Sequence, residues 1–303
     1  MAIPTADETA ACDDLPRCGT AEGAAQRLFV PESRVSPEDA AFQAADSVQA
    51  MCSYLRGILS MTATLEGAGF AAAAAAAAAD GEGGSAVTAT ALAAVAAFVL
   101  KDGAAMLGSL AFSYAAARAF DGELRFWRLF ADVINDVGLT VELLAPLTGR
   151  AFLPVTCAAN VCKALCGVAA GATRVGIAAH FAADAANVAE VQAKEGAQET
   201  AVTLAGLVLG LALSSALNAN ATVKWVAFSL LTLIHVAANY YAVRILRLRT
   251  VNRTRASLLV RAYAAAPPPP GASAWRAAPS PSALAALEPV TPLQYTTLRA
   301  IAC

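Results

Sequence analysis

Charge is what this sequence has least of. Only 15% of its 303 residues are Asp, Glu, Lys or Arg, where soluble domains average about 25%. That is too little charge to coat a water-facing surface. Histidine is scarcer still, with His180 and His235 alone. Neither stands beside a nucleophile elbow, a paired zinc spacing or a phosphate-cradling loop, so no catalytic chemistry, metal or cofactor is expected. A basic excess is also missing. The net charge of −2 gives a nucleic-acid partner no electrostatic footprint. Met1 to Ala11 has no apolar core and carries Asp7 and Glu8. It fits neither a secretory signal nor an Arg/Ser-rich, acid-poor transit peptide. The first membrane helix would then direct insertion, unless the start has been trimmed.

Apolar residues are abundant, at 58%, with a mean hydropathy of +0.56. They fall into six blocks, about 43–68, 86–118, 126–149, 151–181, 188–217 and 223–246. A span needs roughly 20 mostly apolar residues. The predicted fold is therefore an all-α polytopic membrane bundle of about six transmembrane helices, with lipid as its surroundings. Residues 1–40 read as an N-terminal arm and 41–255 as the membrane domain. Within that domain, 71–85 forms a low-complexity loop of alanines followed by Asp-Gly-Glu-Gly-Gly. Residues 256–303 read as a Pro-rich linker and peripheral tail, with Pro267–Pro270 a stiff spacer. Of the seven cysteines, Cys157, Cys162 and Cys166 lie at helical spacing in an apolar stretch and read as small packing residues.

Orientation follows the Lys/Arg bias of short loops. Arg118, Arg125 and Arg128 on one side match the exit run Arg244, Arg247, Arg249, Arg253 and Arg255, whereas the other side offers Arg150 and Lys224. Six spans with both ends on the cytoplasmic-equivalent face satisfy this. The exit run reads as a solvated patch that meets anionic headgroups. Asn220-Ala221-Thr222 and Asn252-Arg253-Thr254 match the glycosylation sequon but lie too near the spans to be used.

A 3+3 repeat is suggested by three weak matches that keep their order. Lys101-Asp102-Gly103-Ala104 resembles Lys194-Glu195-Gly196-Ala197, Gln49-Ala50-Met51-Cys52 resembles Lys163-Ala164-Leu165-Cys166, and Trp127 corresponds to Trp225. A three-helix unit inserted twice is inverted the second time, as in many secondary transporters. Such a repeat would put Gly103 and Gly196 at close backbone approaches. Gly206-x-x-x-Gly210 is a further small-residue crossing motif.

Ionisable residues inside the apolar blocks are costly unless paired or hydrated, about 2.5–3.5 kcal/mol each at the bilayer centre. Asp132, Asn135 and Asp136 share one helical face. Lys101, Asp102, Arg174, His180, Asn187, Lys194, Glu195, Gln198 and Glu199 supply the rest of an expected polar cavity. Lys194, Glu195, Gln198 and Glu199 are expected to face Asp102, Asp132 or Asp136.

The same blocks resemble the root UV-B sensitive family, whose domain is also described by vitamin B6 photoprotection and homeostasis. The resemblance runs from about Phe29 to Arg255. Its carriers are Asp46-Ser47-Val48-Gln49-Ala50, Leu55-Arg56-Gly57, Lys101-Asp102-Gly103 and Trp127-Arg128-Leu129 through Asn135-Asp136. Gly171-Ala172-Thr173-Arg174, the His180–Glu199 block, Ala238-Asn239-Tyr240 and Arg249-Thr250-Val251-Asn252-Arg253 complete them. Glu190 stands where the family usually has Asp, Tyr241 where it usually has a basic residue, and the alanine loop is extra. The resemblance implies a membrane protein, often of plastids, tied to UV-B responses, seedling growth and vitamin B6 balance, with no settled activity. Two functions follow as expectations. One is a carrier for a small polar metabolite such as a B6 vitamer, with Lys194 or Arg174 holding an anionic group and Asp102 or Glu195 coupling to protons. The other is a non-transporting scaffold whose charges only fix helix register. A homo- or hetero-oligomer with a related family member is the further partner expected.

Overall fold

A computed structural model of the chain describes residues 28–31, 38–69, 84–120, 122–182, 185–217, 220–265, 278–291 and 294. Most of the N-terminal arm, nearly all of the alanine-rich loop, and Pro267–Pro270 lie outside them. The architecture is all-α. Its helices are α1 Asp39–Gly67, α2 Gly84–Ala116, α3 Leu124–Leu144, α4 Phe152–Phe181, α5 Val188–Leu217, α6 Ala221–Ile245, α7 Arg253–Ala265 and α8 Pro281–Leu287.

The third apolar block ends as a helix at Leu144, short of the expected 149. Residues Ala145–Ala151 form a tight 3-10 turn in which Gly149 has φ +55°, a backbone region that favours glycine. That turn folds α4 back along α3. Arg125 and Arg128, expected in a loop, lie inside α3 instead. Its buried stripe of Arg125, Leu129, Asp132, Asp136, Leu139 and Leu143 repeats at helical spacing and mixes charge with apolar bulk.

Side-chain contacts fix how the helices run. Where α1 begins, Asp46 meets Arg128 at the start of α3 and Gln43 meets Glu195 near the start of α5. At the same face Arg125 donates to the Val243 carbonyl at the end of α6, and Gly176 of α4 lies against Leu124. At the opposite face Glu66, near the end of α1, pairs with Lys224 at the start of α6. Successive helices therefore alternate in direction. The principal neighbours are α3 with α4, α1 with α6, α2 with α4 and α1 with α5.

Two apolar clusters bracket a polar layer. Phe42, Ile177, Phe181, Val191 and Leu246 close the end where α1 begins, while Leu59, Leu139, Leu143 and Phe228 close the other. Between them lie Gln49, Arg56, Asp132, Asp136 and His235, all buried. The outer surface is apolar, with Leu107, Leu211 and Leu233 each about 70% exposed. An apolar surface of this extent does not suit water. Among the described residues, four stretches are long and apolar enough to cross a membrane: Val95–Ala119, Leu124–Phe181, Val188–Ala216 and Ala221–Ile245. The second contains both α3 and α4 with the turn between them. Charged and polar side chains keep α1 out of that set, yet it packs against α3, α5 and α6.

Residues 278–291, expected in a peripheral tail, seat on the bundle. Arg125 and Arg255 both reach the buried Glu288 carboxylate, at 3.3 and 2.9 Å. Val290 is fully buried beside Leu129 and Val243.

Candidate polar cavity

α1, α3, α4 and α5 line a half-open cavity of about 840 Å³. Its polar half is built by α1 residues Asp46, Gln49 and Ser53, which fall on one helical face. Arg128, in the first turns of α3, reaches Asp46 at 2.6 Å and Asp132 at 3.7 Å. Gln49 Nε2 donates to Asp132 Oδ1 at 2.7 Å, and Asn135 donates to Ser53 at 3.1 Å. Across the cavity Arg174 pairs with Glu199 at 2.7 Å and Glu195 at 3.8 Å, and Gln43 donates to Glu195 at 3.1 Å. Toward the other end Ile58, Met61, Leu65 and Leu139 make the lining apolar. The cavity is thus amphipathic, with hydrogen-bonding groups concentrated near the face where α1 begins.

A second shell of charge lies behind the wall. Arg56 donates to Asp136 and, at 3.0 Å, to Thr232. His235 Nδ1 lies 3.1 Å from the same Asp136 carboxylate. Buried ions need such partners, because desolvation alone costs several kcal/mol per ion. Nearer the other face Glu142 holds Lys163 at 2.7 Å and Lys101 at 3.6 Å.

The twelve sequence-predicted site residues divide among several places. Asp132, Asn135, Arg174, Glu195 and Glu199 come together on the cavity wall. Asp136 sits behind it with Arg56. Lys101 pairs with Glu142 of α3, and Asp102 accepts from Asn160 of α4 at 3.1 Å, so neither reaches the cavity wall. His180 lies 3.0 Å from Glu38. Gln198 turns away to donate to the Phe29 carbonyl at 2.7 Å. Asn187 and Lys194 are half-buried beyond the lining. Sequence reasoning missed Asp46, Gln49, Arg56 and Arg128 as site residues. A signal existed, since Asp46, Gln49, Ser53 and Arg56 follow one another by three or four residues, marking a polar face on an apolar block.

No metal-holding group of three or more His, Cys, Asp or Glu occurs among the described residues. The close approach expected at Gly103 is absent, because a side chain built there meets nothing within 4 Å. Gly196 has only Arg174 Nη2 at 3.9 Å. Both glycines lie on open helix faces, where helix packing makes no demand on them. Gly206 and Gly210 are the real crossing. A Cβ at Gly206 would sit 2.9 Å from the Tyr54 ring, and one at Gly210 would overlap Ile58.

An all-α chain with four stretches able to span a membrane and a buried polar layer at its centre is the class these observations define. The chain belongs to the root UV-B sensitive family: the family profile described as "Vitamin B6 photo-protection and homoeostasis domain" matches residues 20–266. It is 34% identical over 276 residues to Protein root UVB sensitive 3 of Arabidopsis thaliana, covering 90% of this chain and 57% of that one. RUS family member 1 of Dictyostelium discoideum is 34% identical over 238 residues, covering 77% and 42% respectively. Protein root UVB sensitive 2, chloroplastic, of Arabidopsis thaliana is 34% identical over 168 residues, covering 55% and 38%. The chain therefore spans about half the length of the curated relatives it matches. No solved structure matches it.

Proposed function

We propose that this chain is a membrane carrier for a small polar metabolite, serving vitamin B6 balance, and that its solute sits in the cavity between α1, α3, α4 and α5. The observation that carries the reading is the cavity itself. About 840 Å³ falls within the roughly 300–1,000 Å³ typical of small-molecule sites. Guanidinium, carboxylate and amide groups from four helices converge on it inside an otherwise apolar bundle.

All six long helices, α1 to α6, act as spans in this reading. α1 is the polar one because it is surrounded by others, and interior helices can carry charge that lipid-facing ones cannot. The neighbour pattern supports a 3+3 inverted repeat. Exchanging α1 with α4, α2 with α5 and α3 with α6 turns the α1–α6 contact into α4–α3, and α1–α5 into α4–α2; all four are principal contacts. Asp102 of α2 accepts from Asn160 of α4, and Glu195 of α5 accepts from Gln43 of α1, each at 3.1 Å. Those acids follow Lys101 and Lys194 in the repeated motif.

The scaffold reading has one observation of its own: both cavity guanidiniums already bridge carboxylates, as register-fixing pairs would. Uptake of labelled pyridoxal, pyridoxine and pyridoxamine into proteoliposomes separates the two. A carrier accumulates at least one of them and loses most of that activity in Glu195→Gln. Vesicles no more permeable than protein-free ones would leave the scaffold.

A further inference from the structure

The cavity wall carries more negative charge and more acceptor capacity than its own cations use. Arg128 is shared between Asp46 and Asp132, and Arg174 between Glu195 and Glu199. Two guanidiniums against four carboxyl groups leave the lining with two more acids than bases. Among the described residues, no lysine or histidine lines the cavity. Behind the wall, Arg56 is neutralised by Asp136, which also holds His235. Lys101 and Lys163 share Glu142 nearer the other end.

A second observation points the same way. Gln49 and Asp132 both line the cavity at 6% exposure, and just behind that lining each keeps a buried oxygen with no hydrogen-bond donor: Gln49 Oε1 and Asp132 Oδ2. The nearest cation to Asp132 Oδ2 is Arg128 Nε, at 3.7 Å, beyond hydrogen-bond length. Buried acceptors left unpaired are destabilising. What the wall lacks is therefore a donor with positive charge. Each guanidinium already stands between two carboxylates, so an anion drawn to it would meet those acids as well.

Resting on the cavity being the solute site, we infer that its solute is a protonated amine. The ammonium is received among Asp132, Gln49 and Glu195, and an uncharged or aromatic body lies along Ile58, Met61 and Leu139. Anionic and phosphorylated solutes are disfavoured by the same excess of carboxylate.

Cys166 lines the cavity and supplies a reporter that needs no known solute. In reconstituted protein with every other cysteine replaced by serine, Cys166 is modified with 2-aminoethyl methanethiosulfonate, a cation, and 2-sulfonatoethyl methanethiosulfonate, an anion. Each rate is divided by that of the same reagent with a free thiol in water. Clefts in which one sign of charge prevails concentrate counter-ions, by about tenfold at the lower end, so the normalised rates should differ about tenfold in favour of the cation. Glu199→Gln, at a half-exposed position that folding tolerates, should shrink that ratio, and Glu195→Gln should shrink it further. Ser53→Cys, in a chain without Cys166, should give the same preference. A ratio at or below one overturns the inference while leaving the uptake result to judge the carrier reading. Failure of both reporter thiols to react overturns it too, because the cavity then admits no solute. A cationic preference in vesicles that take up no vitamer upholds the inference and counts against the carrier.

Discussion

Asp136 receives Arg56 and His235 in a place from which water is excluded. The three side chains tie α1, α3 and α6 together at mid-height. Taking away one member leaves a buried charge uncompensated, which typically costs about 3–5 kcal/mol, whereas replacing a whole pair with apolar groups is often neutral. Arg56→Met should therefore lower the melting temperature in detergent sharply, and Arg56→Met with Asp136→Leu should recover much of the loss. A single variant as stable as the parent would mean that water reaches Asp136. The cavity acids carry a different expectation. Glu199 is half-exposed, and exposed ion pairs contribute about 0–1 kcal/mol, so Glu199→Gln should leave stability nearly unchanged while altering cavity chemistry.

Among the elements, the crossing of α5 on α1 depends on small side chains. Tyr54 and Ile58 occupy the space that side chains at Gly206 and Gly210 would need. Gly206→Leu should force the helices apart, lower thermal stability and open the cavity they flank. Gly103→Ala should be harmless, because its Cβ meets nothing and alanine favours the helix by about 1 kcal/mol over glycine. Equal losses at the two sites would refute this packing. Gly206-x-x-x-Gly210 was legible in the sequence because crossing motifs have a fixed spacing. Gly103 and Gly196 were misjudged because their motif resemblance says nothing about which face of the helix is covered. α1 shows a related limit. Hydropathy registers Asp46, Gln49 and Arg56 only as interruptions, while their common purpose appears once α3, with Asp132 and Asp136, is laid beside them. The helix blocks themselves were readable, apart from the Gly149 turn that shortens the third, since long apolar runs need no tertiary knowledge.

Taken whole, the molecule sends its chain back and forth six times and gathers arginines at one end. Arg125, Arg128 and Arg244 stand where α1 begins, with Arg150 and Lys224 at the other end. That asymmetry is legible in the Lys and Arg positions alone. The seat taken by residues 278–291 is not, because Glu288 finds Arg125 across 163 positions of chain and no local pattern announces such a pairing. Cysteines at Thr148 and Ser280 should be labelled from opposite sides of a sealed vesicle, and labelling of both from one side would break the six-span arrangement. With those two as side markers, Ser53→Cys on the cavity wall tests the carrier most directly. In a cysteine-free background, impermeant maleimide should reach it from the Ser280 side in one conformation and the Thr148 side in the other. Oriented vesicles should therefore show labelling from both faces. Labelling from one face alone, under every ion and solute condition, would contradict alternating access and leave the cavity as a pocket in a static scaffold.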